Sequence, residues 1–143
     1  MSSLKSILPE KFSFHCEIPL RITDLNYGGH VGNDRIMALL QEARVQFLAT
    51  KGYSELQLEE TGLILTKAQF ELRRELHYGQ KLFAAVAAGN FTSKGFDLFY
   101  KLETIIDGKQ HLTALAITTM VCYDYTTQKV VSLSEKAKQK LAE

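Results

Sequence analysis

Cysteine is scarce: only Cys16 and Cys122 occur, each inside a strand-like segment and neither in a C-x-x-C pair or beside a histidine at metal-ligand spacing. Both are expected to be buried thiols. His15, His30, His77 and His111 are widely separated, so no stretch clusters enough ligands for zinc, and no metal is expected. An excess of charge of one sign is also missing. A net charge of +1 with scattered basic residues gives no electrostatic reason to expect nucleic acid or an acidic membrane surface as partner. No apolar run approaches the length that spans a bilayer, and the first ten residues are too poor in apolar side chains for a signal peptide, so a cytoplasmic protein is expected. Repeats, low-complexity tracts and interdomain linkers are absent. With 143 residues and 45% apolar content, the chain reads as one domain over 1–143, long enough for a proper core.

What is present is concentrated between Arg21 and Asn33, which read R-I-T-D-L-N-Y-G-G-H-V-G-N and run straight into an amphipathic pattern ending at Lys51. Gly28, Gly29 and Gly32 allow the backbone unusual conformations and close approach to a bound group. The helix start that follows offers free N–H groups and a positive dipole end to an anion or a polarised carbonyl oxygen.

Alternation of Phe12, Phe14, Cys16 and Ile18 with polar neighbours predicts a strand, which Pro19 confines to an edge or an end. The helix takes Asn33 or a neighbour as N-cap, with Asp34 in its first turn. Its apolar stripe is Ile36, Leu39, Leu40, Ala43, Phe47 and Leu48, and Gly52 suits the position just past its end. Further on, Ile64, Thr66, Ala68, Phe70 and Leu72 share one side of a strand, and Tyr78-Gly79-Gln80 marks a turn. The alanine-rich run Leu82 to Gly89 is compatible with a helix, but its length and neighbours favour a strand packed against something bulky. Strands over Phe96 to Ile106 and Gln110 to Tyr125 flank Asp107-Gly108, a hairpin signal. Ser132 and Glu135 have capping-box spacing before a short helix over Glu135 to Leu141. The plan is α+β: one long helix covered by one curved antiparallel sheet, with edge strands and an outer face left open to pair with a second copy.

The segment R-x-T-D-x-N-x-x-G-H-V-x-N, followed by E-A-R-V-Q-F-L, resembles the signature of the hot-dog fold thioesterases of the 4-hydroxybenzoyl-CoA thioesterase type. The likeness extends over nearly the whole chain. It implies a long central helix wrapped by a sheet of about five strands, and hydrolysis of an acyl-CoA or similar acyl thioester. It also implies a homodimer, with pairing into tetramers left open, and no cofactor beyond the coenzyme A of the substrate. The thioester would lie in a cleft between two subunits, its carbonyl at the helix N-terminus near the Asn33 backbone N–H.

The second acid of the family's D-x-D motif, its usual nucleophile or general base, falls on Asn26. An amide accepts no proton from water at neutral pH, although it can orient water or hold the thioester. Other candidate bases are His30, ranked first because histidine exchanges protons near neutral pH, then Asp24 acting through water, and Glu42 on the helix. Each has a structural alternative: a loop-holding histidine, a buried acid, a solvent-facing glutamate. Arg73, Arg74 and Lys94 are candidates for the coenzyme A phosphates. His15, His77 and His111 receive no role. Two rival functions stay open, a hot-dog protein that binds acyl-CoA without cleaving it and a dehydratase-like enzyme on the same fold.

Overall fold

The structure, a computed structural model, describes residues 3–143. Its elements are β1 (Phe14–Ile18), α1 (Asn33–Thr50), β2 (Gly62–Leu72), β3 (Leu82–Gly89), β4 (Gly95–Ile106), β5 (Lys109–Asp124), a two-residue β6 (Lys129–Val130) and α2 (Glu135–Ala142). All pairings are antiparallel, in the order β1-β3-β4-β5-β2, with β6 beside β5. The sheet curls around α1, and this is the hot-dog arrangement.

The entire expected stripe of α1 is buried against the concave face. Ala84 and Val86 of β3 belong to the same core, and their small size lets the helix approach closely. The alanine-rich run is therefore a strand. At its far end α1 closes as the sequence implies: Gly52 has φ +80°, and the Tyr53 N–H donates to the Leu48 carbonyl. Asp107 and Gly108 both take positive φ, as a type I′ hairpin between β4 and β5 requires.

One charged residue enters this core unannounced. Arg44 is 5% exposed on the buried face of α1; its Nε donates to Glu55 Oε1 (2.5 Å) and its Nη1 to the Tyr100 hydroxyl (3.1 Å). Thr118 Oγ1 lies 2.7 Å from that hydroxyl, so the buried polar atoms are mutually satisfied.

Several expectations need correction. In β2 the register passes from Leu65 opposite Met120 to Lys67 opposite Thr119, leaving Thr66 as a bulge. A bulge reverses which side chains face the core. Leu63 and Leu65 share the concave face before it, and Ala68, Phe70 and Leu72 after it, so Ile64 is on the other side. The outer face is partly covered: Leu4, Leu8 and Phe12 from the N-terminal segment pack on Phe99, Leu115 and Ile117. Phe12 consequently lies outside β1. Cys122 is buried, but Cys16 on edge strand β1 is only half-buried. Burial raises both thiol pKa values, with Glu42 adding to the effect at Cys16. The cap of α2 is Ser134 rather than Ser132; its Oγ accepts from the Ala137 N–H at 3.1 Å.

Candidate active site

The loop between β1 and α1 is built from its own polar groups. Arg21 to Asp24 form a tight turn in which the Asp24 carboxylate accepts from the Arg21 backbone N–H (2.8 Å) and from Arg21 Nη2 (3.2 Å). Asp24 is fully buried and both its oxygens are occupied, an arrangement that matches its structural alternative. Asn26 sits at the loop's tip, its Oδ1 accepting from the Gly28 N–H at 2.9 Å, which leaves the two Nδ2 hydrogens free. A Cβ on Gly28 would meet Asn26 Oδ1 at 3.2 Å and His30 Nε2 at 3.4 Å, so both side chains close on this glycine. Gly29, at φ +84°, makes the turn back to His30.

Two backbone bonds seat the loop on the helix and the neighbouring strand connection. The Gly32 N–H donates to the Asp24 carbonyl (3.1 Å), and the Val31 N–H to the Leu76 carbonyl (2.7 Å). Gly32, not Asn33, is the N-cap of α1 and provides no capping side chain; Asn33 is the first helical residue. Among the described residues, no acceptor meets the backbone N–H of Asn33 or Asp34. Both donors remain available at the positive end of the helix.

A cleft of about 310 Å³ opens beside this helix start. Val31, Ile36, Leu72 and Leu76 supply apolar wall, while His30, Asn33, Arg73 and Arg74 supply polar groups. His30 Nδ1 lies 3.3 Å from the Val31 carbonyl oxygen; in the tautomer with its hydrogen on Nδ1 the ring donates to that oxygen and Nε2 has the lone pair. Nε2 lies 3.7 Å from Glu75 Oε1.

The phosphate candidates separate. Arg73 is engaged by Glu71 (2.9 Å) and by the Ser3 hydroxyl, whereas among the described residues Arg74 has no ion-pair partner. Both arginines are anchored through backbone N–H groups to the Thr113 carbonyl, and Lys94 is opposite Cys122 on the same strand. The nine-position step between those anchors places Lys94 roughly 30 Å away within one chain. Glu42 is also remote, about 14 Å along α1 from Asn33. It accepts from Gln46 Nε2 (2.6 Å) and lines a larger groove of about 460 Å³ with Pro19, Arg21 and Gln41. That groove is more voluminous than the cleft at the helix start but has neither the free N–H groups nor the histidine, so the smaller one is the candidate site.

Two residues that sequence reasoning passed over, Glu75 and His77, adjoin His30. The usable signal was E-L-H, whose spacing puts both polar side chains on one side of an extended segment.

The sequence pattern of the thioesterase-like superfamily matches residues 20–141. The chain belongs to that superfamily. Among solved structures it is similar to a 1,4-dihydroxy-2-naphthoyl-CoA thioesterase from Synechocystis, with 19% identity, 91% of this chain and 96% of the other covered, and a TM-score of 0.79. It is also similar to a mutant 4-hydroxybenzoyl CoA thioesterase, aspartate replaced by asparagine, complexed with 4-hydroxybenzoyl CoA (11%, 90% and 97%, TM-score 0.81). A thioesterase from Thermus thermophilus complexed with coenzyme A and Zn is a third (16%, 93% and 100%, TM-score 0.76). At these identities the likenesses establish the fold. No match to a curated protein is found. Among the described residues, no helix is long and apolar enough to cross a membrane.

Proposed function

We propose that the protein hydrolyses an acyl-CoA thioester to the free acid and coenzyme A. The observation that carries this reading is the start of α1, where among the described residues the Asn33 and Asp34 N–H groups have no partner, with Asn33 and His30 lining one partly apolar cleft. The thioester carbonyl rests on those N–H groups, Asn26 Nδ2 holds the carbonyl or the attacking water, and His30 Nε2 takes the water's proton as the oxygen bonds to the carbonyl carbon. Donors fixed at the helix start meet the developing oxyanion without reorganising, an effect worth about 3 kcal/mol for one donor. The carbon–sulfur bond then breaks, and the proton on His30 passes to the departing thiolate. Arg74 receives a coenzyme A phosphate, with Arg73 beside it; Lys94 contributes only from a second chain.

A homodimer belongs to this reading. Leu65, Phe70 and Leu72 face the concave side but extend past the helix, 37%, 37% and 47% exposed, at the open edge of β2. A second copy paired along that edge would cover them and close the cleft. A sedimentation mass of a single chain would remove the partner from the account.

One observation favours the rival in which the thioester is bound and not cleaved: Asn26 stands where the resemblance expects an acid. The related thioesterase with asparagine in place of an aspartate is complexed with its 4-hydroxybenzoyl CoA. Thiol release measured over short, long and aromatic acyl-CoA esters separates the two. Turnover supports hydrolysis, saturable binding without thiol release supports the rival, and loss of absorbance from an enoyl thioester would report hydration instead.

A further inference from the structure

The carboxylate of Glu75 is divided between two imidazoles. Its Oε1 lies 3.7 Å from His30 Nε2 and its Oε2 lies 3.7 Å from His77 Nε2. The rings stand edge to face with centroids 6.2 Å apart, because His30 and His77 are opposed across an antiparallel bridge. The His77 N–H donates to Gln80 Oε1 (2.8 Å), and the Gln80 N–H to the His77 carbonyl (3.1 Å), which pins the turn carrying His77. Neither Glu75 nor His77 has any other salt-bridge partner among the described residues.

The charges around His30 come from two elements, the β2–β3 connection and α1. Glu75 and His77 approach from the connection between β2 and β3, Arg73 and Arg74 line the same cleft, and Asp34 is in the first turn of α1. Asp24 is spent on Arg21. Glu75 is thus the one carboxylate within ion-pair distance of the ring among the described residues.

We infer that Glu75 supplies the negative charge that Asn26 does not: it is a positioning residue that stabilises the His30 imidazolium formed when His30 takes the proton of the attacking water, while His77 fixes its second oxygen. This rests on the hydrolytic reading above. The proton goes from water to His30 Nε2 and on to the leaving thiolate; Glu75 stays ionised throughout. A carboxylate beside the ring lowers the energy of the charged form, so it assists proton uptake by His30.

The side chain of Glu75 is 64% exposed, so Glu75→Gln is expected to fold with unchanged Tm. Exposed ion pairs are weak, and the expected fall in kcat is about two- to fivefold, with KM unaltered. Glu75→Asp should recover part of the loss and His77→Gln reproduce a smaller version of it. Imidazole NMR at one fixed pH without substrate provides the independent arm: the His30 ring resonances should shift in Glu75→Gln. An active wild type with an unmoved kcat in Glu75→Gln overturns the inference. So do unmoved His30 resonances, whether or not the protein hydrolyses anything; moved resonances in a protein without thiol release uphold the pairing and sink the hydrolytic reading alone.

Discussion

The Gly28 backbone N–H donates to Asn26 Oδ1 at 2.9 Å, and this bond decides what Asn26 offers the site. With the oxygen turned inward, only the amide hydrogens point outward. Asn26→Ala removes both the turn and the donor, and kcat/KM for thiol release is expected to fall about tenfold, the equivalent of one good hydrogen bond. Asn26→Asp keeps an acceptor for Gly28 and introduces a group able to take a proton, so it should fold normally and turn over faster than Asn26→Ala. Equal kcat/KM in wild type and Asn26→Ala would remove Asn26 from the site.

Arg74 is the unpaired cation of the cleft among the described residues, and its assigned ligand is a phosphate. Arg74→Ala should raise KM for acyl-CoA about three- to tenfold, in the range of one charge-assisted hydrogen bond, while leaving the same acyl ester of a phosphate-free thiol unaffected. A matched increase for both esters would assign Arg74 to the acyl or carbonyl end instead.

Tyr100 and Arg44 test the core independently of the chemistry. Their contact lies eleven residues along α1 from Asn33, about 16 Å from the helix start. Tyr100→Phe strips Arg44 Nη1 and Thr118 Oγ1 of a partner in a buried setting, at an expected cost of about 1–3 kcal/mol in denaturant unfolding. The kcat should not change. A stability within error of wild type would mean that the network is satisfied in another way.

Acid should release the N-terminal segment from the outer face of the sheet. Glu71 accepts from the Leu4 N–H (2.5 Å), the Ser3 hydroxyl (3.2 Å) and Arg73 (2.9 Å), and the Leu4 bond above all holds its pKa below the ordinary glutamate value. A carboxyl whose folded pKa is depressed contributes stability that is present above the unfolded value and lost as pH falls through the folded one. Amide exchange at Leu4 to Leu8 should therefore accelerate as pH drops below about 4, after correction for intrinsic rates. In Glu71→Gln that step should be absent. The same step in the variant would place the acid response elsewhere.

Features set by local pattern were legible in the sequence. The stripe from Ile36 to Leu48, the Asp107-Gly108 hairpin and the loop from Asp24 to Asn33 each depend on residues close together in the chain. What escaped depends on tertiary placement. Thr66 looks like any alternating strand residue until pairing with β5 forces it out as a bulge. Arg44 reads as a surface cation until Tyr100 and Glu55 meet it. Arg73 and Lys94 both flank strands, and only the register along β5 shows that opposite ends of the sheet hold them. His77 gains its neighbours from the bridge to His30, a contact across forty-seven positions that no periodicity encodes.

The most direct test is thiol release from a panel of acyl-CoA esters by wild type and by His30→Ala. A thioester hydrolysed at the helix start should give saturable turnover by wild type and a loss of about 100-fold or more in kcat in the variant, with KM little changed. Thiol release from no acyl-CoA, or equal turnover by the two proteins, would contradict the account.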